Sequence, residues 1–250
     1  MQPVVLLHGL IGPFTDAAAV DQLRPAVVLG PDLLGYGQDS DADPDAITIE
    51  AQVEYVRAAL SRAGTDPRVH LVGHSVGGVI AAAFAARYPE CVASLVSVEG
   101  NFTLADAFWS AQVAEQPLSQ VEAQLEADRA EPARWLRNSG VEPTDDRVRA
   151  AAQALAYQPA STIRATARAV VEYTGRPAYE QLLRNVFGRT PVHLVAGERS
   201  RDGWDVPDWA LASATSYTEV PDTGHMVMLE RPQSVGRLLA ELCGSPLRTS

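Results

Sequence analysis

Gly73-His74-Ser75-Val76-Gly77 is the stretch of this 250-residue chain best suited to chemistry. A serine hydroxyl is a weak nucleophile at its free pKa, but at the apex of a sharp strand-to-helix turn it stands exposed at a helix N-terminus. Such a turn leaves room only for hydrogen on the residues two before and two after the serine, which gives Gly73 and Gly77 a steric reason; Gly78 adds further space. The flanks fit the turn. Val69-His70-Leu71-Val72 reads as a buried strand, and Val79 to Tyr88 as a small-residue helix closed by Pro89. A serine between glycines can also mark only a tight turn, but the strand-turn-helix context favours a nucleophile.

The other reactive side chains narrow the chemistry. None of the five histidines has the spacing of a metal-ligand pair, so neither metal nor cofactor is expected. Cys91 and Cys243 make no disulfide framework and read as incidental thiols.

These residues need a scaffold. Val4–Leu7, Val27–Leu29, Val69–Val72, Ala93–Val98, Val192–Ala196 and Ser216–Val220 read as short strands alternating with helical stretches. Continuous apolar strands separated by helices predict an α/β fold, a mostly parallel sheet covered by helices on both faces, with functional loops at the strands' carboxyl ends. Residues 101–190 lack a convincing strand and carry helical runs punctuated by prolines, with Phe102, Phe108, Trp109, Trp135, Tyr157, Tyr173 and Tyr179 concentrated there. The predicted organisation is a core of residues 1–100 and 191–250 interrupted by a helical cap at 101–190. The formal charge of −11 and the isoelectric point of about 4.9 disfavour nucleic acid and anionic membranes as partners. No run approaches the roughly 20 apolar residues of a membrane span, and Met1-Gln2-Pro3 leads straight into a strand, so a cytoplasmic protein is expected.

His8-Gly9-Leu10 after the first strand, the serine pentapeptide, the cap-like insertion and a late Gly224-His225 follow one another in the order that resembles the α/β-hydrolase superfamily. That resemblance spans nearly the whole chain. It implies the α/β-hydrolase fold, with Ser75 as nucleophile, His225 as its base, and the backbone N–H groups of Val76 and Leu10 as an oxyanion hole. In most members an aspartate follows the strand corresponding to Val192–Ala196, but here Gly197-Glu198-Arg199 leads to Ser200, which cannot carry the charge that stabilises an imidazolium. Glu99, at the end of the strand after the nucleophile, is the favoured acid, because a strand end is a rigid platform. Lactonases similar to zearalenone hydrolase and one group of haloalkane dehalogenases place their acid there. Asp202 and Asp205 are the alternatives, on the loop after Ser200.

The activity this implies is cleavage of an ester or lactone of a mainly apolar small molecule through an acyl-serine, with Phe102, Trp109 and Met226 as candidate substrate contacts. Serine at position 75 argues against dehalogenase and epoxide-hydrolase chemistry, which uses aspartate there in this superfamily. C–C bond hydrolysis, thioester hydrolysis and a low-turnover binding role on the same fold stay open, and the sequence leaves the oligomeric state undetermined.

Overall fold

The computed structural model of the chain describes residues 2–13, 16–64 and 68–244. Among them, six strands form one sheet in the order β2-β1-β3-β4-β5-β6, and every neighbouring pair is parallel. The strands are β1 (Val4–Leu7), β2 (Val28–Leu29), β3 (Val69–His74), β4 (Val92–Val98), β5 (Val192–Gly197) and β6 (Ser216–Val220). A sheet buried on both faces cannot alternate apolar with polar, which is why these strands read as unbroken valine and leucine runs. Side chains of successive residues nevertheless part company: Val5, Leu7, Leu71 and Leu95 belong to one core layer, and Val4, Leu6, Val72 and Val96 to the other.

The helices are α1 (Ala17–Gln22), α2 (Ile49–Arg62), α3 (Val76–Arg87), α4 (Phe108–Glu115), α5 (Leu118–Ala130), α6 (Pro132–Asn138), α7 (Asp145–Ala156), α8 (Ala160–Thr174), α9 (Ala178–Phe187), α10 (Asp208–Ser213), α11 (Val227–Glu230) and α12 (Pro232–Leu242). The layer containing Val4 is closed by α1 and α12 through Leu23, Val235 and Leu239, and the other lies under α2 and α3. From Val76 to Ala85 every residue of α3 is buried, as expected of a helix apolar all round. Six helices, α4 to α9, lie between β4 and β5. Within them α8 packs on α4 and α5 and also reaches α2 and α3, while α9 packs on α3.

Several local boundaries differ from the sequence reading: β3 runs on to His74, β4 begins at Val92 and β5 ends at Gly197. The helix after Ser75 begins at Val76 rather than Val79, because Gly77 and Gly78 let its first turn rest directly on the backbones of Leu7 and Gly100. The second strand is only two residues long and excludes Val27, which is 58% exposed at the sheet edge.

Candidate active site

The sheet register brings the candidate residues to one edge. Ser75 N–H bonds the Val98 carbonyl at 3.0 Å and Glu99 N–H bonds the Val195 carbonyl at 3.0 Å, so the ladder sets Ser75 and Glu99 at the carboxyl ends of adjacent strands. Both leave their strands in the left-handed region, Ser75 at φ 53° and Glu99 at φ 47°. Non-glycine residues hold such conformations only where surrounding structure enforces them, and they cluster at functional sites. The enforcement at Ser75 is visible: a Cβ on Gly73 would lie 2.3 Å from the Gly77 carbonyl oxygen, and one on Gly77 would lie 2.3 Å from that of Leu7.

His225 follows β6, in a turn that includes Asp222 at φ 56°. Its Nδ1–H donates to Glu99 Oε2 at 2.6 Å. The other Glu99 oxygen accepts Gly197 N–H at 2.7 Å and Ser200 Oγ–H at 2.5 Å. The Glu99 side chain is 4% exposed. Burial opposes its ionisation, yet the hydrogen bond and charge of His225 with the Ser200 and Gly197 donors prevail and hold its carboxyl below the usual glutamate range. The Nδ1 bond fixes the tautomer that leaves Nε2 without a proton, and Ser75 lines the same cavity as His225.

The alternative acids stand elsewhere. Asp202 is 92% exposed beside Arg201, and Asp205 accepts Thr103 Oγ1–H at 2.6 Å. Ser200, which follows β5 where an aspartate is usual, donates to the carboxylate on β4 instead.

Two further histidines, His74 and His8, support this edge. His74 Nε2–H donates to the His225 carbonyl at 2.9 Å, and burial, with His225 nearby, holds its pKa down at about 4. His8, likewise buried and held at about 4, bonds the Gly9 carbonyl and lies edge-on to Tyr36 with ring centroids 4.6 Å apart. Tyr36 Oη–H in turn donates to the Leu10 carbonyl at 3.0 Å. The loop bearing Leu10 is thereby pinned beside the elbow, and Val76 contributes the first of the α3 N–H groups that lack an intrahelical acceptor.

A cavity of about 500 Å³ opens on Ser75, Glu99 and His225, walled by Phe108, Trp109, Trp135, Trp204 and Met226. Its size and aromatic lining suit a small, mainly apolar ligand. Trp109 and Met226, candidate substrate contacts in the sequence reading, line this cavity. Phe102 does not: it is 6% exposed and packs on Trp204 and Phe187 with centroids 5.8 and 6.1 Å away, backing the wall rather than forming it. Trp204 was missed because it lies outside the aromatic-rich interval, and only the fold returns it to the cavity. Among the described residues no group of three or more His, Cys, Asp or Glu side chains is placed to hold a metal ion, and no helix is long and apolar enough to cross a membrane.

Comparison with known proteins places the chain beside one family, two curated relatives and two solved structures. The model of the Alpha/beta hydrolase family matches residues 4–238. Lipase 1 of Psychrobacter immobilis is 36% identical over 115 residues, 45% of this chain and 34% of the lipase. A 2-hydroxy-6-oxo-2,4-heptadienoate hydrolase of Pseudomonas putida is 35% identical over 113 residues, 42% of this chain and 40% of that protein. The aligned stretch thus spans about a third of the lipase's own length. A thermophilic esterase from Thermogutta terrifontis superposes with a TM-score of 0.73 at 22% identity, over 97% of this chain and 89% of its own. A haloalkane dehalogenase variant from Bradyrhizobium elkanii gives 0.70 at 21%, over 97% and 89%. An esterase and a dehalogenase match almost equally well, so these likenesses carry the fold and not the reaction.

Proposed function

The chain belongs to the alpha/beta hydrolase family, and from that premise we propose that it is a serine hydrolase cleaving an ester or lactone bond of a mainly apolar small molecule. Ser75 Oγ attacks the carbonyl carbon as His225 Nε2 takes its proton, and Glu99 stabilises the imidazolium that forms. The oxyanion is received by the N–H groups of Val76 and Leu10. Collapse breaks the bond to the leaving oxygen, which takes the proton from His225 and leaves an acyl-serine. Water, deprotonated by His225, then attacks the acyl carbon, and Ser75 departs reprotonated. Residues 101–190 serve as the cap that supplies Phe108, Trp109 and Trp135 to the cavity.

The observation that carries this reading is the 2.6 Å bond from His225 Nδ1 to a buried Glu99 carboxylate, in one cavity with a serine held at φ 53°. It also weighs against the binding-protein alternative, because the acid lacking at position 200 has a counterpart in Glu99. C–C bond hydrolysis is kept as the second reading because 113 residues of the chain are 35% identical to a 2-hydroxy-6-oxo-2,4-heptadienoate hydrolase.

Covalent labelling by a fluorophosphonate probe tests the nucleophile, with p-nitrophenyl esters, lactones and a vinylogous diketone assayed in parallel. Wild-type protein is expected to label and Ser75→Ala is not. Folded wild-type protein that fails to label would overturn the serine-hydrolase reading, and turnover of the diketone alone would select the C–C alternative.

A further inference from the structure

The turn that delivers His225 is held at each of the three residues before it. Asp222 N–H donates to Glu198 Oε2 at 2.8 Å, and the Asp222 carbonyl accepts Arg199 Nη1. The Thr223 carbonyl accepts Arg199 N–H at 2.8 Å, and Gly224 N–H donates to Glu230 Oε1 at 2.7 Å. Glu230 and Arg199 are themselves joined, Oε2 to Nη2, at 2.7 Å.

This carboxylate is an expensive one to keep. The Glu230 side chain is only 5% exposed, and a buried charge is retained at a cost of several kcal/mol unless its partners are well placed. Its partners here are the N–H of Gly224, the residue before His225, and Arg199, which itself holds the Asp222 and Thr223 carbonyls. Neither Glu230 nor Arg199 bonds the imidazole, whose Nδ1 bond goes to Glu99. The pair also reaches the helices between β4 and β5: Arg199 Nη2 donates to the Gly140 carbonyl at 3.1 Å, and Arg147 of α7 donates to the Glu230 carbonyl at 2.8 Å.

We infer that the Glu230–Arg199 pair is a positioning unit for the proposed reaction: it fixes the 222–224 turn so that His225 meets Glu99, and it ties that geometry to the helical segment through Gly140 and Arg147. This rests on His225 and Glu99 acting together as proposed above. A misplacement of about 1 Å can cost on the order of 100-fold in rate, so a pair that does not bond the imidazole can still govern turnover.

The test compares Glu230→Ala, Glu230→Gln and Glu99→Gln, alone and combined, in the full chain with a p-nitrophenyl ester. Glu230→Ala is expected to lower kcat by about 10- to 100-fold while KM changes less than about twofold. Glu230→Gln keeps an acceptor for Gly224 N–H but not the charge facing Arg199, and is expected to lose less than about tenfold. In the Glu99→Gln background Glu230→Ala is expected to cost under about threefold more, because the pair acts through an interaction already lost. A readout independent of turnover is the downfield proton resonance of His225 Nδ1–H, expected to vanish in Glu99→Gln and to shift or broaden in Glu230→Ala. Should Glu230→Ala not fold, Glu230→Gln carries the same cycle and the same spectrum. A lowered Tm with unchanged kcat and resonance, or losses that multiply in the double variant, would reduce the pair to a structural staple and overturn the inference. A silent Glu99→Gln would instead strike the catalytic reading itself.

Discussion

Glu99 accepts three hydrogen bonds on two oxygens, from His225, Ser200 and the Gly197 amide, in a site nearly closed to water. The charge facing the imidazole is thus both fixed in place and stabilised from behind. Glu99→Gln keeps the volume but removes that charge and presents an amide to Nδ1; by analogy with triad acids elsewhere, kcat is expected to fall by about 10³- to 10⁴-fold. Ser200→Ala removes one donor to the carboxylate, a bond worth about 1.5–3 kcal/mol when one partner is charged, so a loss of roughly tenfold or more is expected. Asp202→Asn and Asp205→Asn should remain within about twofold, since neither side chain approaches His225 and surface changes are usually small. Steady-state kinetics on the four variants decides between them, and the reverse ranking would return the acid to the loop. Part of this arrangement was legible beforehand. The glycines around Ser75 and the strand end at Glu99 are local facts of the chain, whereas the donor role of Ser200 depends on β5 lying beside β4.

The elbow works as an element because three backbones meet within it. A methyl group on Gly77 would press on the Leu7 carbonyl oxygen at 2.3 Å, and one on Gly78 would meet the Gly100 Cα at 2.6 Å. Neither obstacle is the end of a flexible side chain, so α3 would have to lift from β1 and β4. Gly77→Ala is expected to cost at least about 2 kcal/mol, read as a lowered urea midpoint, and to abolish fluorophosphonate labelling by moving Ser75. Gly203→Ala is the control: nothing lies within 4 Å of the added carbon, and its stability should stay near wild type. Equal effects at the two positions would remove the steric account of the pentapeptide. At this scale the strands could be read because a sheet buried on both faces leaves an unmistakable run of valine and leucine. The helices between β4 and β5 could be read as helices, but not for what they cover. An amphipathic pattern says that a face is buried; it does not say that α8 lies on α2 and α3, or that Phe102 backs Trp204 while Trp135 faces the cavity.

Across the whole molecule, acidification sets opposing effects against each other. The chain carries a formal charge of −11, so lowering the pH towards its isoelectric point of about 4.9 relieves self-repulsion and favours the fold. His8 and His74 act the other way. Both are buried, and burial first of all holds each at about 4 instead of 6.5. The unfolded chain protonates them near 6.5, so between about 6.5 and 4 it binds more protons than the folded chain, and stability falls with falling pH; below about 4 both states are protonated and this slope ends. Glu99 operates in a lower window. Its carboxyl is held below the ordinary 4.5, so its contribution is complete above 4.5 and is lost as the pH falls through its lowered value. Urea unfolding at closely spaced pH values from about 8 to 3 should therefore resolve two limbs. His8→Asn is expected to flatten the upper limb and spare the lower, while Glu99→Gln should erase the lower and spare the upper. Net charge is plain from composition, but nothing in the sequence separates His8 and His74 from His70 and His193, which are only half-buried. The difference arises where distant segments close over the carboxyl end of the sheet, as Tyr36 and Tyr157 do against His8 and His225 does against His74. An upper limb unchanged by His8→Asn would mean that this end of the sheet is open to water.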